Sequence, residues 1–512
     1  MNNALKYVRQ HFVYIFLASV VLGALLPLLY GQGEFLPGWL AATVLLLPGL
    51  LLAVFLWRWA GGGRPLFAIM LAALLLRLLV GGIFVRTLPV LGYPDEETNR
   101  MGYVFYDAFI RDGQAWDLAS SDQPLSLAFG NNLISDQYGG LLWVSALIYR
   151  VLSPDAPRPF LVVLLGALVF TLGLAFYWKA VRARWGDQIV RWSGWILALY
   201  PAAVELGASQ MREPFLMGFI CVGMWGAGRL AERDRKGWIG MAIALLGLGL
   251  FSWRVAAPAA AVLALWVLID GFGENHLRKI PVWGWLLILA AAVLIGLGIW
   301  PWFRESMLWD IHTTVDRSGW LQKVFRMFGD GAQIPFLTIY GLFQPVLPAA
   351  LTDPAAPFWQ TLGSVLALGW YLIGPVVVYS FFTIWKVQDK RDRRILIFTA
   401  AALAVWMLVA SIRAGGDQFD NPRYRTIFLP WMALLAAWAV TWARSHRDPW
   451  LTRWLIVEGI FLAFFTQWYG SRKVGGWWGG RLDFRLMVGL IVLFSLAVLV
   501  GGWWWDRRKR RS

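Results

Sequence analysis

The stretch Tyr93-Pro94-Asp95-Glu96-Glu97-Thr98-Asn99-Arg100 sets three carboxylates side by side in an otherwise apolar chain. Behind it, Met101, Val104, Phe105, Ala108 and Phe109 recur at the spacing of one helical face, with Tyr103, Tyr106, Asp107 and Arg111 opposite. The pattern predicts an amphipathic helix lying in a membrane interface, opened by Asp95 after Pro94. As a helix cap, Asp95 accepts backbone N–H bonds, and Glu96 and Glu97 complement the dipole. As a general base it needs the same fixed direction, because it must meet a hydroxyl proton at hydrogen-bond distance. The two readings are compatible.

A second acid stands in Met211-Arg212-Glu213-Pro214. Glu213 reads either as an acid of a first helical turn with Pro214 beside it or as a partner of Asp95. Arginines suit an anionic ligand, because a guanidinium fork binds phosphate or carboxylate bidentately. The candidates are Arg212, Arg254, Arg304, Arg423 and Arg425, each of which also reads as an interfacial snorkelling side chain. Arg423 and Arg425 are favoured, since Asp417-Gln418-Phe419-Asp420-Asn421-Pro422-Arg423-Tyr424-Arg425 ends at the start of an apolar run. Arg254, in Ser252-Trp253-Arg254, faces a cavity if it does not face lipid. Asp95, Glu96 and Glu213 together offer oxygen ligands that suit Mg²⁺ or Mn²⁺; no cofactor is otherwise indicated. Arg77 and Glu205 lie inside apolar runs and read as a pair or as structural polar groups, and Glu458 reads as structural.

The elements that hold these residues are membrane helices. Of 512 residues, 59% are hydrophobic and 15% charged, and the mean hydropathy is +0.58. A soluble domain is roughly 45–50% apolar and about 25% charged, so a cytosolic enzyme, a disordered scaffold and a secreted disulfide domain are excluded. Cys221 is the one cysteine; it reads as an inert core thiol, and no thiolate cluster can form. The net charge of +16 reads as membrane topology, not as a nucleic-acid footprint. There is no Gly-Lys dipeptide for a phosphate-cradling loop and no HExxH motif. Four histidines, His11, His276, His312 and His446, are too scattered for a multi-histidine metal site.

Runs of the length that crosses a bilayer lie near 11–30, 38–57, 66–85, 159–178, 192–208, 214–231, 237–252, 255–270, 283–302, 361–385, 395–412, 426–443, 453–469 and 486–505, about 14 in all. The stretches 138–152 and 334–350 are shorter or broken by proline, and read as dipping into the membrane or lying on it. With the N-terminus inside, more than half of the 46 basic residues fall in short inner loops such as Lys179–Arg191 and Arg229–Lys236. Both termini are then cytoplasmic, and the long loops 86–158 and 303–360 lie outside. Trp57/Trp59, Trp300/Trp302, Trp477/Trp478 and Trp503/Trp504/Trp505 flank runs as belt residues; Trp477 and Trp478 are also placed to stack on a sugar. The first run reads as an anchor, not a cleaved signal.

A span followed by Pro94-Asp95-Glu96 opening an interfacial helix resembles the GT-C glycosyltransferases, multi-span enzymes that take sugars from polyprenyl-phosphate carriers. Pro94-Asp95-Glu96-Glu97-Thr98 is most similar to the bacterial transferases that add aminoarabinose to lipid A, and more loosely to protein O-mannosyltransferases; Glu97 is an additional acid. The segment Gln137-Tyr138-Gly139-Gly140-Leu141-Leu142-Trp143 to Arg150 resembles the family's short apolar segment. Leu199-Tyr200-Pro201 followed by Arg212-Glu213 resembles its second acidic turn. The resemblance covers about residues 66–445. It implies an all-α GT-C-type bundle with interfacial helices in the first outer loop, residues 1–65 as a two-helix addition, 66–445 as the catalytic core, and 446–512 as C-terminal helices with a basic tail. It further implies Asp95 as base with Glu96 and Glu213 beside it, Arg212, Arg254, Arg423 and Arg425 at the departing donor phosphate, a polyprenyl-phosphate sugar donor, a glycan, lipid or protein acceptor, membrane lipids as surroundings, no nucleic-acid partner, and a plasma-membrane enzyme with an outward-facing site. Three other roles compete. A flippase or transporter predicts broken helices with midplane charges and pseudo-repeats. A polysaccharide polymerase or ligase leans on outer-loop Arg and His. A membrane scaffold leaves the long outer loops unexplained.

Overall fold

The computed structural model describes residues 2–130, 138–271, 331, 333–352, 354–414, 419–473, 480 and 482–509. The expected run 283–302 lies outside them, as do most of the loop 303–360, Gln137, His276, Arg278, Lys279, Arg304, His312, Asp417, Gln418, and the pairs Trp300/Trp302 and Trp477/Trp478. Among the described residues every regular element is a helix and none is a strand. Among the described residues ten helices are long and apolar enough to cross a membrane, or up to 11 if a pair bent by 76° is one span. The protein is therefore an all-α, multi-pass membrane protein. The chain forms two compact units, Met1–Lys279 with Thr426–Leu434, and Ile280–Arg425 with Leu435–Ser512.

The first unit contains α1 (Asn2–Gln10), α2 (Phe12–Tyr30), α3 (Phe35–Ala60), α4 (Gly63–Leu91), α5 (Glu97–Arg100), α6 (Tyr106–Ser120), α7 (Gly140–Leu152), α8 (Pro159–Leu199), α9 (Pro201–Ala208), α10 (Glu213–Ala231), α11 (Gly237–Phe251) and α12 (Trp253–Gly271). The 41 residues of α8 would extend about 60 Å, twice a hydrocarbon core. The chain solves this at Gly186, whose φ of 81° and ψ of 179° break the helix. The side chains of Tyr177 and Ser193 then come together, although they would be about 24 Å apart along a continuous helix. The two arms match the separate expected runs 159–178 and 192–208. The second of these is itself broken at Tyr200-Pro201, so it continues into α9.

Neighbour contacts sort the helix ends into two groups. At one end Arg158, at the start of α8, reaches the Glu34 carbonyl before α3 (3.2 Å), and Arg86 of α4 binds the Leu28 and Leu29 carbonyls of α2 (both 3.0 Å). At the other end Lys179 and Arg182 bind the carbonyls of Trp59 and Gly61 (3.3 and 2.7 Å), and Arg184 forks onto Asp270 at 2.7 Å. This second end gathers Arg58, Arg64, Lys179–Arg191 and Arg229–Lys236, so the basic loops expected on one side share one end of the unit. α11 has 15 residues, short for a span. It nevertheless runs the length of α10, from Gly237 against Gly226 to Phe251 stacked on Phe215 at 4.3 Å. The α8–α10 contact is backbone on backbone: a Cβ on Gly173 would lie 2.7 Å from the Gly218 Cα, the small-residue packing that membrane helices use in place of hydrophobic collapse. Cys221 is buried in α10, as expected of a core thiol.

Mid-span, Arg77 is fully buried. Pro201 has no N–H, so the break before α9 leaves carbonyls of α8 without helical donors. Arg77 supplies them, binding Leu197 O (3.3 Å) and Ala198 O (3.2 Å) as well as Ala73 O (2.9 Å), with its guanidinium 3.9 Å from the Phe170 ring centre. These carbonyls, and not Glu205, satisfy it.

The second unit contains α13 (Gln333–Phe343), α14 (Leu347–Leu351), α15 (Pro357–Thr383), α16 (Lys390–Ala414), α17 (Asp420–Thr426), most of α18 (Leu429–Ser445), α19 (Pro449–Lys473) and α20 (Phe484–Lys509). α13 packs on α16, α14 on α15 and α19, and α19 on α20. The stretch 334–350 is thus two short helices, as its prolines predicted.

Candidate functional site

The acidic turn lies at the less basic end of the first unit, where α4 stops. Asn99, 1% exposed, staples it: its Oδ1 accepts the Tyr93 N–H (3.1 Å) and its Nδ2 donates to Glu96 (2.6 Å). Glu96 is thereby fixed, while Asp95 is exposed in the turn and Glu97 begins α5. The long amphipathic helix expected from Asp95 does not form. α5 is a single turn, its first flanking residue is Glu96 and not Asp95, and Gly102 (φ 79°) then redirects the chain against the Val85 backbone. A Cβ on Gly102 would lie 3.0 Å from Val85 Cα, so this close approach decides the break. The helix resumes as α6, rotated so that Met101 is exposed and Arg111 and Asp112 are buried.

That rotation builds a polar cluster. Asp112 accepts hydrogen bonds from Tyr103 (2.6 Å), from Gln210 Nε2 (2.9 Å) and from the Tyr149 hydroxyl. Gln210 also reaches Tyr149 (3.1 Å), and Arg111 binds the Gln210 carbonyl. Burial raises the Asp112 carboxyl above its ordinary value, against the pull of its three donors and of Arg111. Tyr103 is likewise raised, by burial and then by Asp112. Around this cluster Ala108, Leu206 and Met211 form an apolar core flanked by Tyr103 and Phe105. The segment behind the acidic turn is therefore fastened to the residues that lead into Arg212-Glu213. A cleft of about 30 Å³, room for a water, opens between Tyr103, Gln210, Tyr30 and Gln32.

α7 lies across this same end. Gly140 sits against the Leu250 carbonyl, and Arg150 binds the carbonyls of Ala119 in the last turn of α6 and of Ser121 and Gln123 just beyond it (3.2, 2.9 and 2.9 Å). Both of its ends stay on one side, so it does not cross, as its length predicted. Just before it, Tyr138 meets two cations. Arg212 lies 4.6 Å and Arg254 5.5 Å from its ring centre. Arg254 also lies 5.5 Å from the Trp253 ring. Glu213 is fully buried at the start of α10, with its Oε1 3.9 Å from Arg212 Nε.

The structure thus brings Arg212, Glu213 and Arg254 together around Tyr138. Asp95 and Glu96 stand at the same end of the unit. Among the described residues no three histidine, cysteine or acidic side chains form a group that could hold a metal ion. Asp95, Glu96 and Glu213 are therefore not a ligand set as they stand. Arg423 and Arg425 belong to the second unit. Arg425 is buried, bound to the Gln344 carbonyl (2.9 Å) and stacked 3.5 Å from the Trp370 ring centre. Arg423 lies 3.6 Å from Asp420.

Sequence reasoning missed Asp112, Tyr149, Gln210 and Tyr138. The available signal was the adjacent charges Arg111-Asp112 on a helix with one apolar face, and a tyrosine inside the apolar run of α7. No protein-family model matches the chain, and no curated protein matches it.

Proposed function

We propose that this protein is a GT-C-type glycosyltransferase that moves a sugar from a polyprenyl-phosphate carrier to a glycan, lipid or protein acceptor at the outer face of a plasma membrane. One observation carries the reading. Two arginines converge on Tyr138 beside buried Glu213, at the end that also bears Asp95 and away from the basic loops. Positive-inside bias puts the basic end in the cytoplasm and this end outside. The resemblance of Pro94-Asp95-Glu96 and Arg212-Glu213 to the family's acidic turns supplies the reaction class. In the finer form of this reading the bundle has about 14 spans, both termini are cytoplasmic, and residues 1–65 precede a core of 66–445.

The chemistry is a single displacement. The acceptor oxygen or nitrogen attacks the anomeric carbon, the bond from that carbon to the phosphate oxygen breaks, and configuration inverts. Asp95 takes the acceptor proton and Glu96, held by Asn99, flanks it. Arg212 and Arg254 meet the negative charge that develops on the departing lipid phosphate, and Glu213 orients Arg212.

The broken helix at Tyr200-Pro201 favours a transporter as the second reading. Arg77, however, occupies the freed carbonyls that would otherwise receive an ion. Lipid mass spectrometry on the native host decides, comparing wild type with Asp95→Asn at matched protein level. The proposal expects one polyprenyl-phosphate sugar to accumulate in the variant, and its mass names the sugar. An unchanged lipid profile with function intact removes Asp95 as the base.

A further inference from the structure

We infer that the C-terminal end of α20 is a binding surface for anionic phospholipid headgroups. This inference is independent of the proposed reaction. From Phe484 to Trp504 the helix rises about 30 Å, the thickness of a hydrocarbon core. Trp503, Trp504 and Trp505 therefore fall at the boundary where tryptophan concentrates. All three are more than half exposed. Consecutive helical positions point about 100° apart, so this helix end meets its surroundings on most of its circumference and not protein alone.

One turn further on, Arg507, Arg508 and Lys509 each stack on the tryptophan four residues before it, at 5.0, 5.4 and 5.6 Å from the ring centre. Four residues are about 6 Å of rise, which carries each cation out of the hydrocarbon to the level of the lipid phosphates. The stacking keeps the cations over the rings, so they are held at headgroup depth instead of extending into water. Against the one acid of the segment, Asp506, stand four cations, Arg453, Arg507, Arg508 and Lys509. Asp506 takes a bidentate pair from Arg453 of α19, at 2.6 and 2.8 Å. The helix end is thus an exposed surface with a net excess of three positive charges on an aromatic collar, and the sequence continues with Arg510 and Arg511. The complementary partner is a negatively charged headgroup. Each cation near such a surface favours it roughly fivefold, so the three together give up to about a hundredfold preference over a zwitterionic lipid.

The test uses the full chain in phosphatidylcholine nanodiscs doped equally with photoactivatable phosphatidylglycerol and photoactivatable phosphatidylcholine. Adducts are mapped to peptides by mass spectrometry. On the peptide containing residues 503–509, phosphatidylglycerol adducts should exceed phosphatidylcholine adducts by about tenfold or more at low salt. The combined Arg507→Gln, Arg508→Gln and Lys509→Gln variant should bring the two to within about twofold. Its phosphatidylcholine adducts report whether the helix end still sits among headgroups. On the unaltered protein, about 1 M salt should erase most of the preference by screening. Equal adducts on the wild-type peptide, a preference that survives the triple substitution, or one that survives high salt overturns the inference.

Discussion

Replacing Arg77 with methionine tests the account of the broken helix most directly. Methionine keeps an unbranched apolar stem and removes every donor. Two carbonyls, Leu197 O and Ala198 O, then lose the partners that now stand at 3.3 and 3.2 Å. The Ala73 carbonyl keeps its own helix. An unsatisfied buried acceptor costs about 1–3 kcal/mol, so two cost about 2–6 kcal/mol. Removing a buried cation returns part of this, because the guanidinium no longer has to be desolvated. The expected net loss is about 2–4 kcal/mol. The reason lies in Pro201, and a second substitution exposes it. Pro201→Ala restores an N–H that can serve Leu197 O, so it should rescue about 1 kcal/mol or more of the Arg77→Met defect while doing little by itself. The assay is SDS-titrated unfolding in mixed micelles for the two single variants, the double variant and the wild type. Additivity within about 0.5 kcal/mol would refute the idea that Arg77 replaces the donor that proline lacks.

Further outcomes follow from the packing at the less basic end of the first unit and within the bundle. Asp112→Leu strips the acceptor from Tyr103, Tyr149 and Gln210 and should lower stability by about 2–4 kcal/mol, whereas Asp112→Asn keeps an acceptor and should cost less. Burial raises the Asp112 pKa in the folded state, so folding favours its protonated form. That contribution is complete below the unfolded value of about 3.9 and is lost as pH rises through the raised folded value. Wild type should therefore lose stability relative to Asp112→Asn as pH climbs from about 4, measured by thermal unfolding; a gap that does not change with pH contradicts the assignment. Gly218→Ala, at the backbone contact with Gly173, should cost about 1–3 kcal/mol by overpacking. A neutral result in the same micelle titration would mean the two helices can separate freely.

Much of the architecture is local in origin and could be read along the chain. Hydropathy adds residue by residue, so the runs, the grouping of basic loops, the buried Cys221 and the short α7 all follow from the amino-acid order. The α20 ladder is equally local, since Trp503 and Arg507 are four residues apart on one helix. What the tertiary structure decided are the matches between distant polar groups. Asp112 depends on Gln210, 98 residues away, and Arg77 on carbonyls 120 and 121 residues away. The helix expected from the pattern at 101–109 is not continuous: Gly102 lies against the Val85 backbone, residues 101–105 leave the helix, and Arg111 and Asp112 are buried where the pattern had put Arg111 on the polar face. Arg425 stands at the start of an apolar run, and only the fold shows that it binds the Gln344 carbonyl and stacks on Trp370, 81 and 55 residues away. A polar side chain in a membrane protein must find its partner within the protein, because lipid offers none. The sequence determines which residues carry that requirement, and only the folded chain determines who meets it.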